Sequence, residues 1–439
     1  MGWLTSLWLD LPASAQDSVI LVLLLLPATL VGLFVLRGYK VVPLNRALLF
    51  RYRWTNLLFV GLIALAVGLG IALIAQERAL RQGSARAAEK FDVIVAAPGD
   101  QIQMLLAAVY LQPSDVPLVG GDLLAELQTD DQVDLVAPIA FGDSFEGAPV
   151  VGTTADFVTH LAGELVAGRI FQTIEEGVAG ALASVDIGDQ FTPVHGHGDF
   201  TEGAHDGVVI EIVGRMAPTG SPWDRSILVP VENVWFVHGL AMGHAPENKD
   251  RIGPPFDPDY FPGTPAFLLH SDELWANYAA QARYATDQTM AFFPGAVLAR
   301  LHSLLGDVRE MMSLMAVLTQ VLVAAGVLSG LVALARLFAR RFALLRALGA
   351  PKRFVFAVVW SYGATLIGVG CLLGFIVGWL AAQVISRMVT ARTDILIEPS
   401  LGFAEIHLVA ALFSVTSLLA FFPAFSAYRR HVVDDLRQT

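Results

Sequence analysis

The stretch Val194 to Gly207 gathers His195, His197, Asp199, Glu202, His205 and Asp206 among glycines. His195 and His197 stand two apart, so on a strand they share one face. A third ligand from His205 or Asp199 would complete a donor set of imidazole and carboxylate, which suits zinc or a similar ion. His238, His244 and His270 are elsewhere in the same region and could approach it. The competing reading is a polar, glycine-rich hairpin tip with incidental histidines. A His-x-His pair alone is a weak signal, and three histidines in eleven residues a stronger one. His160, His302, His407 and His431 are isolated in sequence and read as structural. There is no His-Glu-x-x-His, no Gly-x-Ser-x-Gly and no catalytic pair of carboxylates in a clear context, so the chain does not read as an enzyme. It also lacks a Gly-x-x-x-x-Gly-Lys-Ser/Thr loop to cradle nucleotide phosphates, so any ATP and magnesium chemistry must come from another chain.

The elements that would carry this loop divide sharply. Of the 439 residues 55% are hydrophobic and 15% charged, too apolar for an ordinary soluble domain of this length. The apolar excess lies at the two ends of the chain. A bilayer core needs roughly 20 apolar residues in helix, and five stretches qualify: Ser18 to Leu36, Asn56 to Ala75, Met312 to Leu337, Phe354 to Ile385 and Ile406 to Tyr428. Met1 to Asp17 carries no Lys or Arg, so the first stretch reads as a retained span and not as a signal peptide. Basic clusters at Arg37 to Arg53, Arg336 to Arg353 and Arg429 to Arg437 all face the cytoplasm if the N-terminus is outside and the C-terminus inside. Residues 77 to 310 then lie outside. They hold 33 acidic and 12 basic residues, a net of −21, against +9 for the remainder of a chain whose net charge is −12. An acidic outer domain over a basic inner face makes nucleic acid an unlikely partner, and acidity also keeps exported domains soluble. The single cysteine, Cys371, excludes an intrachain disulfide.

The expected fold is therefore an α-helical transmembrane protein with five spans and a large inserted α+β extracytoplasmic domain. Its expected parts are an extra N-terminal span and elbow helix (1–55), a span (56–76), the outer domain with stalk helices (77–310) and a three-span permease domain (311–439). In the outer domain Phe91 to Ala96, Val133 to Ala140, Pro149 to Thr153, Asp189 to Val194, Val208 to Arg215, Ser226 to Val229 and Ala266 to Leu269 read as strands. Gln101 to Tyr110, Glu232 to Leu240 and Asp272 to Tyr284 read as helices, and Gly243 to Pro265 as surface loop. Gln76 to Lys90 and Leu298 to Met311 extend the second and third spans as stalks.

Gly370, Gly374 and Gly378 make a doubled small-xxx-small pattern in the fourth span, and Gly326 and Gly330 repeat it in the third. Small residues let helix backbones approach, which supports tight packing or dimerisation without deciding between them. No span carries an ionisable side chain near its centre, which argues against a midplane ion relay. Between the third and fourth spans, Arg340, Arg341, Arg346, Leu348, Gly349, Lys352 and Arg353 belong to a connector that reads as a short basic amphipathic helix followed by a Gly349–Pro351 break. Such a helix either lies in the membrane interface or docks into a partner.

This connector, with its Leu-Arg-Ala-Leu-Gly-Ala turn at Leu345 to Ala350, resembles the FtsX-like permeases of the MacB type. The ending Pro423, Ala424, Ala427, Arg430, Asp435, Leu436, Arg437 is similar to that family's, and so is the unit Leu44 to Lys90 followed by Phe91 to Val95 and Pro98-Gly99. The departure is the first span, since the usual family core has four. The resemblance implies a homodimeric permease in a bacterial inner membrane, working with a separate cytoplasmic ABC ATPase that touches the connector residues named above, and with a periplasmic binding or adaptor protein. The membrane part in that family often has no substrate channel, and motion is passed to the outer domain. A subset with a His-rich insertion, followed by a stretch like Pro218, Thr219, Gly220, Ser221, Pro222, Asp224 and Arg225 here, looks associated with zinc or other metals. The alternatives implied are a lipoprotein- or peptide-exporting permease, and an FtsX-like signalling subunit that activates an extracytoplasmic partner.

Overall fold

The computed structural model describes residues 6, 8–112, 114–197, 200–204, 207–304, 306–393 and 395–429, with side chains excepted at 197, 200–204, 307–309, 312–313, 316, 334 and 337. The chain forms two compact units. One comprises Met1–Ala79, Val308–Arg387 and Glu398–Thr439, the other Leu80–Asp307 and Met388–Ile397.

The first unit is helical, as hydrocarbon demands, because a helix pairs its backbone N–H and C=O groups within one segment. Ala13–Leu36, Arg53–Ala87, Lys352–Thr393 and Phe403–Arg429 are long and apolar enough to cross a membrane. The last of these comprises helices Phe403–Leu419 and Phe421–Arg429. The expected span Met312 to Leu337 lies in helix Gly306–Leu337, but its apolar stretch among the described residues is the shorter Val317–Ala333. Among the described residues four helices meet the criterion.

Helix Lys352–Thr393 packs its glycine face on helix Arg53–Ala87. A Cβ on Gly374 would sit 2.6 Å from Val67 Cβ, and one on Gly378 would sit 2.6 Å from the Gly68 carbonyl oxygen. At Gly370 it would meet Ile63 Cβ at 2.6 Å. These three glycines therefore serve contact within one chain. Gly330 faces the ring of Phe59, whereas a Cβ on Gly326 would meet nothing within 4 Å among the described residues. Polar clamps add direction: Asn45 Nδ2 donates to Ser361 Oγ at 2.7 Å, Tyr362 Oη to Asn56 Oδ1, and Trp360 Nε1 to the Ser417 carbonyl at 2.9 Å. The added helix Ala13–Leu36 packs on Phe403–Leu419, where His407 Nε2 meets the Asp17 carbonyl at 2.9 Å.

The second unit is built on strands β1 (Val93–Ala96), β2 (Leu135–Phe145), β3 (Ala148–Thr153), β4 (Ala167–Gly168), β5 (Glu176–Ala179) and β6 (Gln190–Phe191). It continues with β7 (Val194–His197), β8 (Phe200–Ala204), β9 (Ile210–Arg215), β10 (Ile227–Pro230), β11 (Ala266–His270) and β12 (Met290–Phe292). The sheet order is β12-β1-β11-β2-β3-β10-β5-β9-β4, with β6 beside β9 and the β7–β8 hairpin beside β2. β10 is parallel to β3 and β5 parallel to β9, and the other pairs are antiparallel. The strand expected at Asp189 to Val194 divides into β6 and β7 around Thr192 and Pro193, since Pro cannot donate to a ladder. Successive β1 side chains feed two cores, Val93 and Val95 on one face, Ile94 and Ala96 on the other. Helices Gln101–Ala108, Ala155–Ala162, Val231–Val237 and Leu274–Tyr284 lie between strands in sequence, giving the mixed α/β domain.

Two consequences can be measured. Gly374→Val should lower the stability of the detergent-purified protein by about 1–3 kcal/mol, the usual cost of overpacking, while Gly326→Ala should be tolerated; equal thermal shifts for the two would contradict the packing. In the sheet unit, Arg169 grips the Glu176 carboxylate with two bonds of 2.6 and 2.7 Å, and the backbone N–H of Gln172 adds a third. The Arg169 hydrogen bonds, foremost, pull the Glu176 pKa down to about 2. A depressed carboxylate stabilises the fold above its unfolded value of about 4.3 and loses that contribution as pH falls through about 2. Glu176→Gln should therefore speed amide exchange along β5 at pH 7 and match wild type near pH 2.

Candidate metal centre and basic connector

The register of β2 against β3 shifts between Phe141 and Asp143, at Gly142, whose φ of 151° favours glycine. Such a bulge re-aims the side chain that follows it. Asp143 is left opposite His195 of β7. His195 Nδ1 lies 3.3 Å from Asp143 Oδ1. His238, just past helix Val231–Val237, brings Nε2 to 3.7 Å from that oxygen and 3.4 Å from His195 Nδ1.

The three atoms thus form a triangle with edges of 3.3, 3.4 and 3.7 Å. A tetrahedral ion bound at 2.0–2.1 Å separates its ligands by about 3.4 Å. The triangle therefore fits a small divalent ion with little movement. The tautomer also fits. His238 Nδ1 is 2.7 Å from the Val234 carbonyl, an obligate acceptor, so Nδ1 carries the proton and Nε2 keeps its lone pair. Asp143 is 2% exposed, and a buried carboxylate is costly without a cationic or hydrogen-bonding partner. His195 is half open, and a cavity of about 230 Å³ adjoins it, lined in part by Gln112, Ser114, Asp115 and Phe141.

Of the ligands expected from the sequence, His195 belongs to this cluster. His197 ends β7, with its side chain outside the described residues, and Asp199 and His205 lie outside them altogether. Asp143 was missed, although a lone glycine in a strand pattern, Gly142, marks a bulge. His244 goes elsewhere: it is buried with Nε2 3.3 Å from Glu232 Oε1. His160, which reads as isolated, is grouped with His270 and Asp92. His302 contacts Ser84, and His431 lies outside the described residues.

The Pro218 to Arg225 stretch forms a turn around a buried carboxylate. Asp224 accepts from the N–H groups of Thr219 and Gly220 at 2.7 and 2.8 Å and from the Thr219 hydroxyl at 2.8 Å. Gly220 takes φ 74° and packs beside Arg86 and Leu396. This role is structural, and it requires each of Thr219, Gly220 and Asp224.

The connector is helix Ala339–Ala347, ended by a left-handed Gly349 at φ 102°. The Gly349 N–H bonds the Arg346 carbonyl and the Ala350 N–H bonds the Leu345 carbonyl, both at 3.0 Å. This is a Schellman cap, and Pro351 beyond it prevents continuation. Phe342 and Ala343 are buried, whereas Arg340, Arg341, Leu344, Leu348, Lys352 and Arg353 are exposed. The helix thus anchors one side and presents a basic surface centred on two uncovered leucines.

Residues 313–432 match the family model of the FtsX-like permease C-terminal domain. No curated protein matches the chain. Among solved structures, the periplasmic region of MacB from Actinobacillus actinomycetemcomitans is similar at 10% identity and a TM-score of 0.31, over 49% of this chain and 95% of that one. The extracellular domain of the noncanonic ABC-type transporter YknZ from Gram-positive bacteria is similar at 10% identity and 0.28, over 46% and 98%. Neither score is high enough to bear on function. The family match takes in helix Gly306–Leu337 from residue 313, the connector and the two helical runs after it, and residues 313–432 accordingly form an FtsX-like permease C-terminal domain.

Proposed function

We propose that this chain is the inner-membrane permease subunit of a MacB-type ABC transporter that handles zinc or a similar cation in its outer domain. The observation that carries the metal assignment is the Asp143, His195, His238 triangle, whose edges suit a tetrahedral ion. The family match supports the permease role. In this reading the chain crosses the membrane five times, N-terminus out and C-terminus in. The additional span is helix Gly306–Leu337, and the parts are 1–55, 56–76, 77–310 and 311–439. Two copies work with a cytoplasmic ATPase that docks on the capped helix Ala339–Ala347. ATP hydrolysis there drives movement of the outer domain, which exchanges the cation with a soluble carrier. Asp143 supplies the negative charge, and the imidazoles supply soft donors that prefer zinc to magnesium or calcium.

A second reading rests on helix Leu274–Tyr284, which exposes Leu274 (71%), Trp275 (59%) and Tyr278 (59%) in the sheet unit. Uncovered aromatics of this kind favour a protein partner, as a signalling permease would need. Peptide or lipoprotein export fits the same surface.

Zinc titration of the full-length protein in detergent separates these readings. Asp143→Ala with His238→Ala should weaken one binding event by about 100-fold or more, since even indirect supports of a metal site are worth 10–100-fold. Unchanged binding would remove the metal assignment and favour the partner-protein reading. On the other face, Arg341→Glu with Leu348→Glu should leave the protein in the membrane. It should cut permease-dependent ATP hydrolysis by the co-expressed ATPase about tenfold or more, and undiminished hydrolysis would place the docking surface elsewhere.

A further inference from the structure

We propose that Asp92, His160 and His270 form a second divalent-cation site, one that takes a zinc-class ion independently of the Asp143 triangle. The three side chains come from three segments. Asp92 stands between helix Arg53–Ala87 and β1, His160 is on helix Ala155–Ala162, and His270 closes β11. Val93 is paired with Leu269, so Asp92 falls beside His270 one step further along the ladder. One ligand atom from each side chain lies within 4.8 Å of the other two.

The hydrogen bonds around the cluster choose the ligand atoms. His160 Nε2 is 2.9 Å from the Lys90 carbonyl, which can only accept, so the proton is on Nε2 and the Nδ1 lone pair is left for an ion. His270 meets Asp92 through Nδ1 and lies 3.3 Å from Asp272 Oδ1 through Nε2. With the Nε2 proton given to Asp272, Nδ1 is left to coordinate beside Asp92, the carboxylate–histidine–metal arrangement that fixes a ring and raises its basicity. The His160 and His270 rings are 4.2 Å apart between centroids. The turn that holds Asp272 is itself tied down, since Asp134 accepts from the Ser271 hydroxyl and the Asp272 N–H at 3.1 and 2.9 Å. His270 and Asp92 are 27% and 32% exposed, open enough for an ion to enter and for water to fill a fourth position.

One ion cannot serve both clusters. β2 pairs Leu135 with His270 at one end and carries Asp143 at the other. Eight residues of strand at about 3.3 Å each put the clusters about 25 Å apart along β2. The second ion would join the residues that follow helix Arg53–Ala87 to β11 and to helix Ala155–Ala162. It would thereby stiffen the sheet unit where the chain enters it.

The test is zinc chloride titrated calorimetrically into the full-length, chelator-stripped protein. Two events per chain are expected. His160→Ala with His270→Ala should remove one and leave the other, and Asp143→Ala with His238→Ala should do the reverse. Asp92→Asn, which keeps the shape of the side chain, should weaken the second event at least tenfold while leaving the metal-free melting temperature unchanged. That variant keeps the test valid if the double alanine variant does not fold. A single event, lost only with Asp143 and His238, would overturn this proposal and leave the first centre standing. A single event lost only with His160 and His270 would uphold it while the first centre failed.

Discussion

The contact between helices Arg53–Ala87 and Lys352–Thr393 sets the geometry of the helical unit. Lipid tails are as apolar as leucine, so the hydrophobic effect does not drive spans together, and close packing must do so. Gly370, Gly374 and Gly378 remove the side chains that would hold the two backbones apart. Across this contact Tyr362 donates to Asn56, and from the neighbouring helix Val42–Arg51 Asn45 donates to Ser361. Glu405, on helix Phe403–Leu419 and 0% exposed, is paired with Arg78 of helix Arg53–Ala87 at 3.0 Å, and its carboxylate also accepts from the Gly402 backbone N–H at 2.9 Å. A buried carboxylate without such a partner would be strongly destabilising.

β2 has a comparable place in the sheet unit. It is paired with β11, β3 and β7, and its length of eleven residues lets one strand reach two different surroundings. A regular strand would alternate its faces along that whole length. The bulge at Gly142 breaks the alternation once, and Asp143 then faces the β7 histidine while Ala137 and Ile139 stay in the apolar core. The price in local pairing is one unmatched residue, compensated by the helix Val231–Val237, whose C-terminal His238 closes over the carboxylate.

The sequence showed what depends on local order. Hydropathy located the helices because a span must be apolar over its whole length, and the Leu348-Gly349-Ala350-Pro351 run announced a capped helix because only glycine takes φ near 100° without strain. Helix Gln101–Ala108 and strand β11 followed from periodicity. What failed depended on distance in sequence. His195 was legible as a donor from its neighbours, but its partners stand 52 residues before and 43 after it, and only strand register and a helix end bring them together. His160 read as isolated for the same reason, being 110 residues from His270.

Three protein ligands at a centre have a definite chemical meaning. Four would enclose a zinc ion and suit it to a structural task, whereas three leave a position for water or for an incoming donor. Two imidazoles and one carboxylate cancel a single charge of a divalent ion, so the bound state stays cationic and is favoured by the acidic residues around it. With a net of −21 over residues 77 to 310, that long-range field raises the local cation concentration without choosing among cations. The choice falls to the imidazoles, which calcium and magnesium bind poorly. On the proposed metal role, acidity would account for attraction and the histidines for selection. In the proposed reading, an open coordination position would allow an ion so attracted to leave again, which a transport cycle requires and a structural site would prevent.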